Sequence, residues 1–399
     1  MNIRDNFPML NSDIIFLDNG ATTFKPEIVL NKMHEYYTKY CANAHRGDYN
    51  ISYKVDLEYE GVRDKVKEFI NASKREEIVF TSGATEGINL VASGFFANIL
   101  EQGDEIIISK SEHASNVLPW FRLAKSNGCI IKYVELDATL HVTLDNIKKV
   151  ITPKTKLISL AMITNVVGDE RPIKEICTYA HEHNIFTFID AAQSVPHIKC
   201  DVQDLDPDFL VFSAHKMMGP TGVGVLYGKL ELLTSLEPLI LGGGMNESFD
   251  NENAVKLKEL PHRLEAGTPN IAGVIGLGGA IDFINEIGID NITIHERNLK
   301  KYFIDKLMMN PYITIINPEA DSGIVSFNVN GIFSQDVAFY LNKYNICVRA
   351  GNHCAKILNQ QIGIKNTLRV SLYIYNTQEE IDQLVELLSD IDKIKEEMI

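Results

Sequence analysis

Seven short apolar runs between residues 78 and 230 constrain the fold more than any other feature of the sequence. Several are apolar throughout instead of alternating with polar residues, as strands are when helices cover both faces of their sheet. Helical periodicity separates them, for example over 173–183. We therefore predict an α/β fold with a mostly parallel, seven-stranded sheet wrapped by helices. The predicted strands are 78–80, 105–109, 130–134, 157–161, 186–190, 209–213 and 224–227.

The pattern changes after the glycine run at 242–244. One long helical stretch is predicted over 272–307, followed by strands at 323–328 and 368–373. Thr377 and Glu380 have the spacing of a capping box, and apolar residues at helical intervals predict a final helix through Ile391. We predict a large domain at 21–283 and a smaller α+β domain formed by 1–20 and 284–399.

Charge and cysteine content exclude several classes of function. The 38 Lys and Arg residues against 53 Asp and Glu residues give a net charge of -15, which disfavours nucleic acid and anionic membranes as partners. No secretion signal or apolar run of membrane-spanning length, about 18 to 20 residues, is evident, so a cytoplasmic location is expected. The 6 cysteines show no paired spacing typical of zinc ligands or a disulfide framework, and we predict no metal site.

Lys216 and Asp190 follow two of the predicted strands directly. A lysine at the carboxyl end of a buried strand can be desolvated enough to form a Schiff base, although most lysines are solvated. Asp190 would be costly to bury unpaired, although it could also cap a following helix. Pyridoxal phosphate requires a lysine of this kind and an acid for its ring nitrogen. The pair therefore indicates a site for that cofactor.

Other polar residues follow neighbouring strands at the same edge of the sheet. The 81–87 segment precedes a helix predicted to begin near Ile88, and its backbone N–H groups, with the Thr85 hydroxyl, could hold a phosphate or simply cap the helix. His113 could stack on a planar ring and exchange protons, although a lone loop histidine is usually unremarkable. Asn165 could donate to a bound oxygen or form a turn.

A series of motifs in order resembles the group II, Suf-type cysteine desulfurases of the class-V aminotransferase family. The resemblance extends over almost the whole chain. The motifs are LDNGATT at 17–23, SGATEGIN at 82–89, EHASN at 112–116, FIDAAQS at 188–194, SAHKMMGPTG at 213–222, RLEAGTPN at 263–270, RAGNHCA at 349–355 and LRVSLYIYNT at 368–377.

The resemblance implies a fold type I enzyme that binds pyridoxal 5'-phosphate. It makes Lys216 the Schiff-base lysine and Asp190 the partner of the ring nitrogen. It places Gln193 at the phenolic oxygen and His113 against the ring. The phosphate contacts that it implies are the Ala84 backbone, Thr85, Ser213, His215 and, from the second subunit of a homodimer, Thr268.

The same resemblance implies the reaction. The enzyme would convert L-cysteine to L-alanine, with Cys354 as the nucleophile that carries the sulfur as a persulfide and His113 as a proton carrier. Arg369 and Arg349 would bind the substrate carboxylate, assisted by Asn165. A Suf-type acceptor protein would then receive the sulfur for iron–sulfur cluster assembly.

The sequence departs from the family pattern at Ala84, Ala350 and Asn352. Ala84 replaces a residue whose side chain commonly binds phosphate, but its backbone contact survives. Ala350 and Asn352 change the surroundings of the nucleophile.

Selenocysteine lyase, a kynureninase-like hydrolase or another class-V lyase are the nearest alternatives. Cys354 and Arg369 favour sulfur transfer over a generic aminotransferase, and the presence of Lys216 argues against a catalytically silent scaffold.

Overall fold

The structure, a computed structural model, describes residues 3–397. Its strands in chain order are β1 (Ile15–Phe16), β2 (Ile78–Thr81), β3 (Glu105–Ser109), β4 (Ile130–Val134), β5 (Thr155–Ala161), β6 (Phe186–Asp190), β7 (Phe209–Ser213), β8 (Gly224–Gly228), β9 (Asn246–Phe249), β10 (Val255–Leu257), β11 (Ile313–Ile315), β12 (Ile324–Val329), β13 (Ile346–Cys347), β14 (Arg349–Gly351) and β15 (Thr367–Ser371).

The α-helices of the same described range connect and cover these strands. They are α1 (Glu27–Lys39), α2 (Asn50–Phe69), α3 (Ala84–Val91), α4 (Ala97–Ile99), α5 (Leu118–Asn127), α6 (Leu144–Lys148), α7 (Ile173–Glu182), α8 (Val202–Leu205), α9 (Leu230–Thr234), α10 (Ile271–Ile287), α11 (Ile289–Met308), α12 (Ser334–Asn342), α13 (Lys356–Gln361), α14 (Gln378–Ser389) and α15 (Ile391–Glu397).

The central sheet has seven strands in the order β2-β8-β7-β6-β5-β3-β4. Its only antiparallel pairings among the described residues are those of β8 with β2 and β7, so β8 alone runs against the other strands. Every residue of β3 and β7 is buried, which explains why these strands carry continuous apolar runs. The α/β fold with a mostly parallel seven-stranded sheet is therefore confirmed.

Helices cover both faces of this sheet. Almost every residue of α10 is buried, and it packs between α1 and α2 as a core helix. Among residues 3–397, no single helix is both long enough and apolar enough to cross a membrane. Helices α10 and α11 meet those criteria only when they are combined, and they meet at a bend of 74°.

A second sheet, with the order β11-β12-β15-β14, forms from the C-terminal part of the chain. Strand β1 does not join it but pairs with β13 in parallel, with Ile15 opposite Ile346. A backbone bridge also connects Asp18 to Ser371. The N-terminal segment thus contacts the C-terminal elements, and the division of the chain into two domains at residues 21 and 284 stays a prediction.

Two predicted helices are each broken into two. The stretch over 272–307 is interrupted at Gly288, whose φ of 85° lies in a region that glycine adopts without a steric penalty. The final helix ends at Ser389, because Asp390 has an extended backbone and starts a separate helix at Ile391. The apolar periodicity continues across both breaks, and it therefore did not reveal them. The helix predicted to begin near Ile88 begins four residues earlier, at Ala84.

The capping box at the start of α14 supports a stability prediction. The Thr377 hydroxyl accepts from the Glu380 N–H at 3.3 Å, and the Glu380 carboxylate accepts from the Thr377 N–H at 3.2 Å. Thr377→Ala is expected to destabilise α14 by about 1 kcal/mol, because one helix N–H loses its partner. Hydrogen exchange of the first-turn amides measures the effect. Thr377→Ser keeps the hydroxyl and should exchange like wild type; equally fast exchange in both variants would contradict the assignment.

Candidate active site

A cavity at the carboxyl edge of the central sheet gathers most of the predicted site residues, as expected for a parallel α/β sheet. The loops after β2, β3, β5, β6 and β7 contribute to its wall, together with the N-terminal segment and the second sheet. Of the predicted residues, only Cys354 and Thr268 are not part of the wall. The residues of the wall are Gly20, Ala21, Ala84, Thr85, His113, Ser115, Ala161, Ile163, Asn165, Asp190, Ala192, Gln193, Ser213, His215, Lys216, Arg349 and Arg369.

Lys216 and Asp190 belong to adjacent strand ends. Asp190 is the last residue of β6, and Lys216 lies in the short turn that follows β7. Burial lowers the pKa of Lys216 to about 8, helped by the positive charges of Arg369 and Arg349 and opposed by Asp190. About one tenth of the amine is therefore uncharged at pH 7, far more than for an ordinary lysine, and can act as a nucleophile or a base.

Asp190 is almost completely buried. Burial raises the pKa of its carboxyl group above the usual range, while the Ala192 N–H, Lys216 and Arg171 act in the opposite direction. The Ala192 N–H donates to Asp190 Oδ1 at 3.0 Å. Because burial alone favours the neutral acid, the charge on this carboxylate depends on its neighbours.

One end of the cavity is formed by the start of α3. The Ala84 N–H donates to Ser213 Oγ at 2.9 Å, and the hydroxyls of Thr85 and Ser115 are 2.8 Å apart. The helix N-terminus and these hydroxyls are groups that bind an anion well. Gly87 lets α3 approach the sheet closely, because a Cβ there would lie 2.6 Å from Val211 Cγ1.

His113 lines the cavity from the loop after β3. Its Nδ1 accepts a hydrogen bond from the Ser115 N–H at 3.1 Å. Burial, together with the positive charges of Lys216, Arg349 and Arg369, lowers the pKa of His113 to about 4. The ring is therefore neutral near pH 7, with its proton on Nε2, and it can lie against a planar group without burying a charge.

Arg369 is a buried residue of the cavity wall. One terminal nitrogen donates to the Asn165 carbonyl at 3.0 Å and the other to Asp18 Oδ1 at 2.7 Å. Its Nε is buried without a hydrogen-bond partner in the described part of the chain. Arg349 lines the same region, so two guanidinium groups face the cavity. This pair of cations is suited to a carboxylate.

The loop that carries Cys354 lies at the rim. Cys354 is exposed, and its Sγ is 3.9 Å from a terminal nitrogen of Arg349. The loop is fixed through two carbonyls: Asn165 Nδ2 donates to the His353 carbonyl at 2.7 Å, and the Ala114 N–H donates to the Cys354 carbonyl at 2.8 Å. The backbone therefore holds the loop in place, and the exposed thiol can face a substrate.

The Cys354 loop has an unusual backbone. His353 and Cys354 both have positive φ values, 49° and 59°. Non-glycine residues adopt this region at a cost of about 1–3 kcal/mol each, and such strain is concentrated at functional sites. Asn352 stabilises the turn, since its carbonyl accepts from the Ala355 N–H at 2.8 Å and its side chain accepts from Asn359. The family departure at Asn352 therefore has a local structural role.

Thr268 is not brought to this cavity by its own chain. It lies on a different groove, where its hydroxyl accepts from Asn43 Nδ2 at 3.3 Å. Its assignment as a phosphate contact from a second subunit stays a prediction.

Sequence reasoning did not identify the N-terminal contributions to the site. Asp18 binds Arg369, and the Gly20 carbonyl accepts from Gln193 Nε2 at 2.8 Å. A carboxylate and a glycine directly after the apolar residues 14–17 were the available signal. The sequence does not show which residues they contact, because their partners are more than 170 positions away along the chain.

One group of potential metal ligands occurs among residues 3–397, away from the cavity. Ligand atoms of His45, Glu60 and His262 all lie within 4.8 Å of one another. The Glu60 carboxylate already accepts from Arg63 Nε at 3.0 Å and from Arg75 at 2.7 Å. A cation there would have to displace two guanidinium groups, so this cluster does not support a metal site.

The cavity fits pyridoxal phosphate by the polar atoms that it leaves unsatisfied. Gln193 Oε1, Asn165 Oδ1 and Arg369 Nε are buried without a hydrogen-bond partner within the described residues. Buried polar atoms of this kind are normally satisfied, so an occupant with several polar groups is expected. An amine, a carboxylate and an anion-binding helix end around one cavity match the aldehyde, ring nitrogen and phosphate of that cofactor.

Comparison with known proteins agrees with this geometry. Residues 15–384 match the family described as Aminotransferase class-V, and this chain belongs to that family. A probable cysteine desulfurase of Halalkalibacterium halodurans is 42% identical over 399 residues, covering 99% of this chain and 97% of that protein. Within the class-V family, the chain is a cysteine desulfurase, which confirms the resemblance read from the motifs.

Solved structures of such enzymes have the same fold. The cysteine desulfurase CsdA of Escherichia coli, in an S-sulfonic acid form, is 35% identical with a TM-score of 0.92, covering 99% of this chain and 98% of that one. The apo enzyme of Thermococcus onnurineus is 38% identical with a TM-score of 0.94 and covers the same shares. A C-DES mutant, solved with glycine covalently linked to its PLP cofactor, shares the fold at 21% identity, a TM-score of 0.84 and coverage of 98% and 100%.

Proposed function

We propose that this chain uses pyridoxal 5'-phosphate to convert L-cysteine to L-alanine and transfers the sulfur first to Cys354. The observation that carries this proposal is the placement of Lys216, Asp190 and two arginines around one cavity whose rim holds an exposed cysteine. A class-V enzyme that does not transfer sulfur would have no need of that cysteine.

Lys216 would bind the cofactor covalently, and Asp190 would accept a hydrogen bond from its ring nitrogen. Ala84 N–H, Thr85, Ser213 and His215 would hold the phosphate. Gln193 retains a second amide N–H for the phenolic oxygen beyond the one it donates to Gly20. When bound, this cofactor supplies an electron sink that makes the substrate's Cα–H acidic.

The arginines would orient the substrate. Its carboxylate fits between Arg349 and the free Nε of Arg369, with Asn165 fixing the guanidinium through its carbonyl. Binding of the carboxylate by these two arginines would direct the substrate side chain toward the rim where Cys354 lies. Lys216, whose amine is largely uncharged above a pH of about 8, would take the Cα proton.

Sulfur transfer follows from the exposed thiol. The Cys354 thiolate attacks the substrate sulfur, an S–S bond forms, and the C–S bond breaks with its electron pair passing to the carbon skeleton. The proton of the substrate thiol passes to the carbon that loses sulfur, which gives alanine and a Cys354 persulfide. His113, neutral and close to the Cys354 loop, would carry that proton.

Two further parts of the proposal concern partners. A homodimer would bring Thr268 of a second copy to the phosphate, since Thr268 lies away from its own chain's cavity. A Suf-type acceptor protein would take the persulfide sulfur for iron–sulfur cluster assembly. The exposure of Cys354 supports this step, because a protein acceptor must reach the sulfur directly.

The test is to incubate the purified, cofactor-loaded protein with L-cysteine and a reductant and to measure alanine and sulfide. Equal amounts of both products are expected. A protein that holds the cofactor but forms neither product, or that reacts only with selenocysteine, would overturn the proposal. The second result would favour a selenocysteine lyase.

Arg369→Lys is expected to raise KM for L-cysteine by about 10- to 100-fold, because a charged hydrogen bond contributes about 1.5–3 kcal/mol. An ammonium cannot keep the contacts to Asp18 and Asn165 and also offer the Nε donor to the substrate carboxylate. The absorption spectrum of the bound cofactor should stay unchanged. Steady-state kinetics separate KM from kcat. Arg297→Lys is a matched control at an exposed ion pair with Glu170, and an equal KM change there would refute the assignment.

A further inference from the structure

A buried ion pair lies directly behind the cavity wall and has no part in the mechanism described above. Arg171 and Glu112 are both fully buried, and a terminal nitrogen of Arg171 contacts Glu112 Oε1. Arg171 Nε also lies 3.3 Å from Asp169 Oδ2. These residues come from the loops after β3 and β5, so the charged 165–171 segment of the sequence is folded inward.

The ion pair forms hydrogen bonds with both backbone groups of Ala161, the last residue of β5. The Ala161 N–H donates to Glu112 Oε2 at 2.8 Å, and Arg171 donates to the Ala161 carbonyl at 3.1 Å. Ala161 is the register partner of Asp190 on the neighbouring strand. Because adjacent strands lie about 4.8 Å apart, the guanidinium is held close to the backbone that carries Asp190.

A second set of contacts fixes the orientation of the pair. The other terminal nitrogen of Arg171 donates to Ser111 Oγ at 2.7 Å and to Ser109 Oγ at 3.2 Å. Glu112 Oε2 also accepts from Asn116 Nδ2 at 2.8 Å. Both charges are therefore saturated with hydrogen bonds and cannot turn toward another partner. Burying such a pair is costly, and apolar residues would stabilise the fold equally well.

The charges that act on Asp190 are few. Lys216, Arg171 and the Ala192 N–H favour its ionised form. Glu112 carries the same charge as an ionised Asp190, and each carboxylate disfavours ionisation of the other. Lys216 takes part in the chemistry, and its charge changes as it does so. A guanidinium stays protonated in proteins, so Arg171 is the cation with a permanent charge.

We propose that Arg171 is a positioning residue whose fixed positive charge keeps Asp190 ionised, so that Asp190 would accept a hydrogen bond from the cofactor's ring nitrogen, and that the negative charge of Glu112 weakens this effect. The inference rests on the proposed function, because it requires Asp190 to face that nitrogen. It also gives a role to Asp169, which holds Arg171 Nε.

Replacing either residue of this ion pair is expected to move the shared proton, and the two replacements should move it in opposite directions. Arg171→Gln leaves the Glu112 charge near Asp190 and should move the shared proton from the ring nitrogen toward the carboxylate. Glu112→Gln leaves Arg171 unneutralised and should move the proton the opposite way. A merely structural ion pair would be broken by both variants, which would then disturb the site in the same direction.

The measurement is the ¹⁵N chemical shift of the ring nitrogen in protein loaded with ¹⁵N-labelled pyridoxal phosphate. In Arg171→Gln the ratio of unprotonated to protonated nitrogen is expected to rise about tenfold, the equivalent of one pKa unit. In Glu112→Gln it should fall. The double variant removes the Arg171 and Glu112 charges together but leaves the buried Asp169, so its ratio should lie between those of the two single variants. It also keeps the test usable if Arg171→Gln alone does not fold. Shifts of the same sign in both single variants, or an unperturbed double variant beside unperturbed single ones, would overturn the proposal.

Two further variants separate this proposal from the proposed function. If Asp190→Asn leaves the nitrogen signal at its wild-type position, Asp190 does not face the ring and the cofactor assignment fails, whatever Arg171 does. If Asp190→Asn shifts the signal but Arg171→Gln does not, only the present inference fails. Arg297→Gln, at the exposed ion pair with Glu170, is the matched control and should leave the signal unchanged.

Discussion

Replacing Lys216 with alanine is expected to reduce alanine formation from L-cysteine by at least about 10³-fold, because the variant loses both the covalent anchor of the cofactor and the base that takes the Cα proton. The side chain lies at the end of β7, facing Asp190, and its lowered pKa makes the free amine available. Product analysis by amino-acid quantification measures the loss. Borohydride reduction of wild type, followed by peptide mapping, should label Lys216.

Lys25 is a matched control for this experiment. Burial lowers its pKa to about 8, as for Lys216, but its amine contacts the Thr23 carbonyl and donates to the His215 carbonyl at 3.2 Å. A lowered pKa therefore does not distinguish the two lysines, whereas their placement does. Lys25→Ala should still be labelled at Lys216 after borohydride reduction. Labelling of Lys25 in wild type, or sustained turnover by Lys216→Ala, would contradict the assignment.

Cys354→Ala is expected to keep the bound cofactor and to lose cysteine-dependent alanine formation by about 10²-fold or more, because no cysteine is among the described residues that line the cavity and could accept the sulfur instead. The loop should keep its conformation, since it is fixed by the carbonyls of His353 and Cys354 and not by the thiol. Mass spectrometry of wild type after a single turnover without reductant should find one extra sulfur on the peptide that contains Cys354.

Cys41 provides the control for this variant. The other cysteines are buried or half-buried, so Cys41 is the remaining exposed thiol of the chain. Cys41→Ala should leave both turnover and the persulfide on Cys354 intact. Turnover by Cys354→Ala at the wild-type rate, or sulfur found on Cys41, would move the nucleophile elsewhere.

The strands of the central sheet could be predicted because they are buried on both faces. β3, β4, β6 and β7 have the predicted bounds, and the cavity lies at their carboxyl edge, where polar residues follow apolar runs. The same logic identified Lys216 and Asp190. A functional residue that directly follows a strand is close to that strand in the sequence, so it can be predicted without a structure.

The features that the sequence did not reveal depend on long-range contacts or on single backbone angles. Gly288 and Asp390 break helices whose apolar spacing continues across the break. The acidic and basic residues at 169–171 had no evident role until folding placed Arg171 on Glu112, 59 positions earlier. Charge in a loop usually indicates solvent exposure, so nothing local predicted burial at this position.

The contact between Asp18 and Arg369 joins residues 3–20 to the site that distant parts of the chain build. The same segment supplies the Gly20 carbonyl to Gln193, so it supports both the substrate end and the cofactor end of the cavity. Loss of this segment would remove Asp18 from Arg369, the Gly20 carbonyl from Gln193 and the buried Phe7 ring from the main hydrophobic core. Substrate binding, cofactor binding and the stability of the fold would therefore be lost together.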